Sequence, residues 1–560
     1  MEMRQCRNCN KEFSIETDDA SFYEKIKVPA PTMCPHCRLI RRLVYRNERS
    51  WYKRTCDATG KSILSMYHPS MPFKVYDEGY WKSDAWNPLD YGRDFDFSRP
   101  FFEQFFELFA DVPHPNLIQK NTVGSPYTNY VSDLKNCYFC ASSVESEDSL
   151  YLFGSVTRVK NSMDIHFGIE SEYCYELIDC KKCNRTAFAQ NCEGTVDSMF
   201  LYDCRNCTDC FGCVGLRSGQ YVMFNEQLTK EEYQKQIAEY KNGSYSALQS
   251  AIVRFNELKL GFPHKYAMII NAENVSGDDI WNSRNCFQSF SIKNTVENVK
   301  YCYRVWDNCK DGWDGNTVWH GAEMFYDVMS VSGQRIYFSG YIWGGNDIEY
   351  SYNCFDCHNV FACVGLRSQS YCIFNKQYSK EEYEALMGQI KEAMRASGEY
   401  GEFFPMKYSP FAYNETIAQD YFPMTKDEAT VSGIGWREPE EKNYSITMPA
   451  ESIPDSIAEV TDDITKQTLG CEHGGACNEH CATAFRITAD ELQFYRRFKL
   501  PIPRLCPNCR HYGRVKMKTP LALWHRKCMH EGCENEFETS YAPERPEIIF
   551  CESCYQKEVL

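Results

Sequence analysis

No stretch of this chain approaches the ~20 apolar residues needed to cross a bilayer, and its opening MEMRQCRNCN lacks the apolar core of a signal peptide. These absences lead us to expect a cytoplasmic protein, whose cysteines stay reduced and serve metal binding or packing instead of forming disulfides. A nucleophile elbow, a phosphate loop and a dinucleotide fingerprint are also missing. Positive net charge is lacking overall, the formal total being -16. Disorder has little room, because 43% of residues are hydrophobic and 15% aromatic. At 560 residues the chain predicts roughly three or four domains, or fewer if part of it is a repeat array.

What is abundant is cysteine, with 31 residues. Cys6-x2-Cys9 is followed after 24 residues by Cys34-Pro-His-Cys37. Two such knuckles bring four thiolates into the tetrahedron zinc prefers, ~2.3 Å from the metal. The module recurs 472 positions later, where Phe494, Tyr495, Pro501, Cys506, Pro507, Cys509 and Arg510 match Phe22, Tyr23, Pro29, Cys34, Pro35, Cys37 and Arg38. There the first knuckle reads Cys477-Asn-Glu-His-Cys481, with Asn478 aligned to Cys6. We take Cys477 and Cys481 as ligands, with His480 competing for the place of Cys477; Cys471 and His473 are further candidates nearby, which we read instead as a partly exposed spare pair. A third set follows, Cys528-x4-Cys533 with Cys551-x2-Cys554; its N-terminal counterpart keeps Cys56 but has Asp77 and Tyr80 where two cysteines would stand, and reads as dead. The expectation is three zinc ions on twelve cysteines. Complete four-Cys sets are closed and so structural, whereas catalytic zinc is rich in His or carboxylate and keeps a position for water.

The middle is duplicated as well: FGCVGLRSGQYVMFN at 211–225 returns as FACVGLRSQSYCIFN at 361–375, each leading into a helix capped by Thr229 or Ser379. In the first half Asn136, Asn161, Asn184 and Asn206 open segments of 22 to 25 residues made of short alternating runs and turn residues, and in the second Asn285, Asn308 and Asn353 are separated by 23 and then 45, about two such units. That period suits one coil of a β-solenoid. The predicted fold is mainly β: a Cys-rich solenoid of the right-handed parallel β-helix type in two related halves, flanked by zinc ribbons, with a few inserted helices. Its parts are 1–81, a zinc ribbon with a degenerate second ribbon; 82–133, an aromatic brace for the first coil; 134–270 and 271–424, the two halves; 425–470, an acidic linker, partly disordered; and 471–560, a double zinc ribbon. The other cysteines, such as Cys180, Cys183, Cys207, Cys210, Cys213, Cys354 and Cys357, are either a further metal or iron–sulfur site or interior thiols behind turn asparagines, and we favour the second.

Charge is uneven, with 12 Lys or Arg against 7 Asp or Glu in residues 1–56 and 11 against 2 in residues 481–527. Arg38, Arg41, Arg42, Arg46 and Arg49 at one end, and Arg510, Arg514, Lys516 and Lys518 at the other, interleave with Tyr45, Trp51, Tyr512 and Trp524. Such a pattern fits an RNA or DNA footprint. It equally fits ribbons that dock on an acidic body, of the same molecule or another. One cluster, Asp307, Asp311 and Asp314 beside Trp306, Trp313 and Trp319, offers an enzymatic alternative, a carbohydrate-active groove with paired carboxylates; turn Asp and buried Trp are the commoner origin of such a cluster.

The run from Phe494 through Cys506-Pro-Asn-Cys509, then Tyr541-Ala-Pro-Glu-Arg-Pro-Glu-Ile-Ile-Phe-Cys551-Glu-Ser-Cys554, and Tyr91-Gly-Arg-Asp-Phe-Asp-Phe-Ser resemble uncharacterised Cys-rich zinc-ribbon proteins of candidate-phyla (Patescibacteria-like) bacteria. The resemblance covers the ends and the brace better than the middle, departs at the Cys477 knuckle, and implies no activity. The reading as a whole is a zinc-binding, non-enzymatic scaffold whose basic ribbons dock a nucleic acid, a ribonucleoprotein or a protein partner.

Overall fold

The computed structural model describes residues 1–438, 444–477 and 479–559. Its central motif is three residues long. From Tyr130 to Tyr151 every third residue is left-handed, with φ between 49° and 56° at Tyr130, Asp133, Asn136, Phe139, Ser142, Glu145, Asp148 and Tyr151. The two residues between are extended, so the chain turns a corner every third residue. Four such sides close a coil of 12 residues, and Met163, Tyr175, Ala187, Met199, Phe211 and Met223 stand one above another in parallel register. Two 12-stranded sheets result, over residues 119–227 and 269–377, forming a β-solenoid of about 21 turns. The 22-to-25-residue period thus covers about two coils, not one: Asn136, Asn161 and Asn206 are left-handed corners but Asn184 stands beside the corner at Arg185, and the true repeat is set by backbone corners that many residue types occupy.

One residue in three points inward, and the space inside a 12-residue coil admits only small or slender side chains. In the first half these are Leu177, Cys180, Cys183, Ala189, Cys192, Leu201, Cys204, Cys207, Cys210 and Cys213, all buried. Cysteine suits the position because its thiol is small, apolar enough to bury, and a weak donor. Cys174 Sγ donates to Glu172 O at 3.3 Å in its own coil and approaches Cys183 O at 3.5 Å, and Cys204 repeats the pattern with Tyr202 O and Cys213 O. The solenoid cysteines are therefore interior thiols. The turn asparagines form ladders outside: Asn274 donates to Asn285, Asn285 to Asn298 and Asn298 to Asp311, at 2.8, 2.9 and 2.9 Å. In the second half several coils take 13 residues, as between Lys310 and Glu323, and the bulky Phe325 fits inside because Gly312 and Gly315 leave room; a Cβ on Gly312 would meet its ring at 2.1 Å.

The duplicated 15-residue segment closes each half. Asn225 Oδ1 accepts from Val214 N and its Nδ2 donates to Val214 O, both at 2.9 Å, and Asn375 does the same for Val364 at 2.8 Å. A short antiparallel return ends each sheet, and the helices Lys230–Ile237 and Lys380–Ser397, with the expected Thr229 and Ser379 caps, follow it; a return of two exposed polar residues offers another chain little to pair with.

Two expectations need correction. The aromatic brace closes the last coil of the second half, not the first coil: Asn375 Nδ2 donates to Pro88 O at 3.0 Å, Arg93 N to Phe374 O at 3.1 Å, and Phe101, on the helix Phe101–Asp111, stands 5.1 Å from Tyr350. Segment 425–470, apart from residues 439–443, which lie outside the described residues, is not a loose linker: Ile453, Ile457, Val460 and Ile464 are buried with Leu492 and Tyr495 of the C-terminal ribbon module.

Candidate metal centres

The first ribbon begins with the hairpin of Glu2–Gln5 and Glu12–Ile15, whose tight turn is the Cys6–Cys9 knuckle. The helix Pro35–Leu43 supplies the second pair, Cys34 at its N-cap and Cys37 in its first turn, with proline at the position where a missing N–H costs nothing. Thiolates at a helix N-terminus are favoured by its unpaired N–H groups, and hydrogen bonding from Cys37 outweighs burial to pull Cys34 down to about 4. The four sulfurs lie within 4.8 Å of one another. Cys34 N donates to Cys6 Sγ at 3.3 Å and Asn8 Nδ2 to Cys37 Sγ at 3.4 Å, the N–H···S support a metal thiolate uses.

The C-terminal copy repeats this plan with one change. Cys506 caps the helix Pro507–Met517 and Cys509 follows in its first turn, but Cys506 N donates to Cys471 Sγ, at 3.2 Å. Cys471 therefore occupies the place of Cys6, and the tetrad is Cys471, Cys481, Cys506 and Cys509. The choice of Cys477 for this set is corrected. Cys471 directly follows Leu469–Gly470, the strand that pairs antiparallel with Ala484–Phe485, so the knuckle spans Cys471-x9-Cys481 and carries an insertion of seven residues relative to Cys6-x2-Cys9. A constant offset of 472 cannot see that insertion; the strand residues ahead of Cys471 were the available signal. Cys477 lies 3.7 Å from Cys509, sulfur to sulfur, in a second group with His473 and Glu479. His480 belongs to neither group; its ring stands 5.7 Å from that of Tyr512.

The third set, Cys528, Cys533, Cys551 and Cys554, also converges within 4.8 Å, on the hairpin Trp524–Lys527 with Glu536–Thr539 and the helix Glu552–Val559. Cys551 N donates to Cys528 Sγ at 3.2 Å. At the fourth position Asp77 N makes the same bond to Cys56 Sγ, also 3.2 Å. That ribbon keeps its shape with one thiol, held by Tyr67, Phe73 and Trp81 in the core. Among the described residues, three four-thiol groups and one mixed group can thus hold metal ions.

The basic residues face inward. Arg38 pairs with Asp314 at 2.8 Å, Arg41 with Asp327 and Glu402 at 2.5 and 2.6 Å, and Arg42 with Asp314 and Asp327 at 3.1 and 2.8 Å. Arg46 binds Glu48, Ser330 and Ser142, and Arg49 donates to Asn508. In the other module Arg510 and Arg514 pair with Asp164 at 2.9 and 2.8 Å, Arg514 also with Glu176 at 2.8 Å, and Lys518 with Asp179 at 2.5 Å. Seven of the nine are buried and Arg49 is half-buried; Lys516, on Glu479, is the exposed one. As a surface footprint the set does not exist, and docking on the acidic body of the same molecule is what its geometry performs. The docking is crossed and equivalent: the first module sits on the second half and the last module on the first, with Arg38 and Arg42 on Asp314 matching Arg510 and Arg514 on Asp164.

The carboxylates of the enzymatic alternative are engaged. Asp314 is fully buried between Arg38 and Arg42, Asp311 ends an asparagine ladder, and Asp307 accepts from Asn294 at 3.1 Å. Phe22 stacks on Trp313 at 4.0 Å, so that ring is docking surface for the first ribbon. The spacing that suggested a groove comes from successive solenoid corners. Searches of protein-family models, curated proteins and solved structures find no match to this chain.

Proposed function

We propose that the protein is a non-enzymatic scaffold stapled by zinc, in which the ribbons lock the two solenoid halves together and the outer solenoid surface meets a protein partner. Thiolate-only, closed tetrads are the ligand sets zinc uses for structure. The observation that carries the reading is the pair of equivalent ion-pair sets, Arg38 and Arg42 on Asp314 and Arg510 and Arg514 on Asp164. They commit the basic faces to intramolecular docking.

What is left outside is a lattice of alternating charges along the coils, including Lys135 with Glu147, Arg158 with Glu170, Arg185 with Asp197 and Arg335 with Asp347. Mixed charge of this kind suits a protein surface better than a polyanion, whose binding draws on unpaired Lys and Arg. Purifying the full chain and measuring bound metal and co-purifying RNA tests the reading. Zinc in each of the three four-Cys ribbons and protein free of RNA are expected; RNA that stays bound in proportion to protein, and leaves as salt is raised, would favour the nucleic-acid alternative.

A further inference from the structure

Resting on the zinc reading of the ribbons, we propose that the C-terminal ribbon holds two zinc ions, not one, bridged by the thiolate of Cys509. The first ion takes Cys471, Cys481, Cys506 and Cys509; the second takes His473, Cys477, Glu479 and Cys509.

Three observations lead there. Tetrahedral bonds of ~2.3 Å place ligand sulfurs about 3.8 Å apart. Cys509 Sγ meets that spacing with thiols on both sides, 3.5 Å to Cys506 and 3.8 Å to Cys471 in one group and 3.7 Å to Cys477 in the other. A thiolate carries enough lone pairs to bind two metals, and Cys509 is the atom both groups share.

Next, the second group has ligand atoms without other employment. Glu479 is 7% exposed, yet its Oε2 has no hydrogen bond, and neither does His473 Nδ1. The two atoms lie 3.2 Å apart, an ion pair if the ring is charged and, with a neutral ring, the placement that neighbouring ligands of one ion take. Leaving such atoms buried and unpaired is costly. Glu479 Oε1 is meanwhile held by Lys516, which orients the carboxylate and balances its charge.

Last, the N-terminal ribbon is an internal control. Its knuckle is two residues long and its tetrad stands alone, whereas the seven extra residues of the C-terminal knuckle bring in His473, Cys477 and Glu479 together. Sulfur, nitrogen and oxygen donors in one tetrahedron are within the chemistry of zinc.

The test is a metal count on the full chain, purified under reducing conditions with zinc. Four zinc ions per chain are expected, falling to three in the Cys477→Ser, Glu479→Gln double variant. Three in the unaltered chain, or four that the double variant does not lower, would overturn the second ion and leave the ribbon reading intact; two or fewer would sink that reading itself. Should the variant fail to fold, cadmium-113 NMR of the unaltered protein decides: two cadmium resonances split by each other through the shared sulfur are expected, and the absence of any cadmium–cadmium coupling overturns the bridge.

Discussion

Arg514 reaches Asp164 across 350 residues of sequence, and its Nη2 donates to the carboxylate at 2.8 Å with both side chains closed off from water. A buried ion pair is weak evidence for net stability, but removing one partner strands the other. Asp164→Asn leaves Arg510 facing a neutral amide and Arg514 with Glu176 alone, and the expected cost is about 3–5 kcal/mol. Asp314→Asn should cost a similar amount at the equivalent joint. Denaturant titration of both variants checks this; a change under about 0.5 kcal/mol, the scale of an ordinary surface substitution, would show that the joints do not hold the modules.

Acid should weaken the fold through two matched histidines. Burial lowers both His114 and His264 to about 4, although a backbone carbonyl, Phe109 O or Lys259 O, bonds each ring. A histidine whose folded value lies below its unfolded 6.5 adds stability above pH 6.5 that is lost as pH falls towards 4, here about 3 kcal/mol for each ring. Glu176 runs the other way: burial raises it to about 7 against the pull of Arg514, so its contribution is complete below about 4.5 and fades as pH rises through 7. Stability measured from pH 7.5 to 4, with zinc release followed separately, should fall less steeply in a His114→Gln, His264→Gln variant. An unchanged slope would remove the histidines from the account.

The interior thiols of the solenoid should be silent in metal assays. Cys207→Ala removes a buried sulfur that donates to Arg205 O at 3.3 Å, and the expected cost is about 1–2 kcal/mol with the metal count unchanged. Losing one equivalent of metal in this variant would restore the metal or iron–sulfur reading of the x2-spaced cysteines.

Gly312→Ala should be among the most damaging single-methyl changes, because the new Cβ would press on the Phe325 ring from the neighbouring coil. Overpacking of this kind costs about 1–3 kcal/mol. Phe325→Leu in the same chain should recover much of it, and a double-mutant cycle on unfolding free energies reads the coupling. Additive losses would mean that the ring simply moves aside.

These cases show what could be read before the structure. The tetrads of Cys6 to Cys37 and of Cys528 to Cys554 are local in spacing, and the hairpin and helix that present them follow from capping and turn residues near each thiol. Interior cysteine was legible because it recurs directly after turn asparagines, as at Asn136, Asn191 and Asn206. The coil length was not: Tyr, Phe, Asp, Glu and Ser share the left-handed corners with Asn, and a corner that tolerates so many residues leaves only its asparagines as visible marks. Cys471 was displaced by an insertion that alignment by eye closes over. The fate of the arginines was the least accessible, because a basic, ring-studded helix looks the same whether its counter-charges belong to a polyanion or to Asp164 and Asp314, hundreds of residues away in the same chain.

The crossed docking also sets an order of events in synthesis. A ribosome making this chain releases the first ribbon before the second half exists, so Arg38 and Arg42 must wait for Asp314. The first half, complete by residue 227, in turn keeps Asp164 without its arginines until Arg510 and Arg514 emerge. The first joint can close once the second half is made, whereas the second must wait for the last ribbon. The first half therefore stands, vectorially, without these arginines the longest, and final locking is a late step made by the C-terminal ribbon alone.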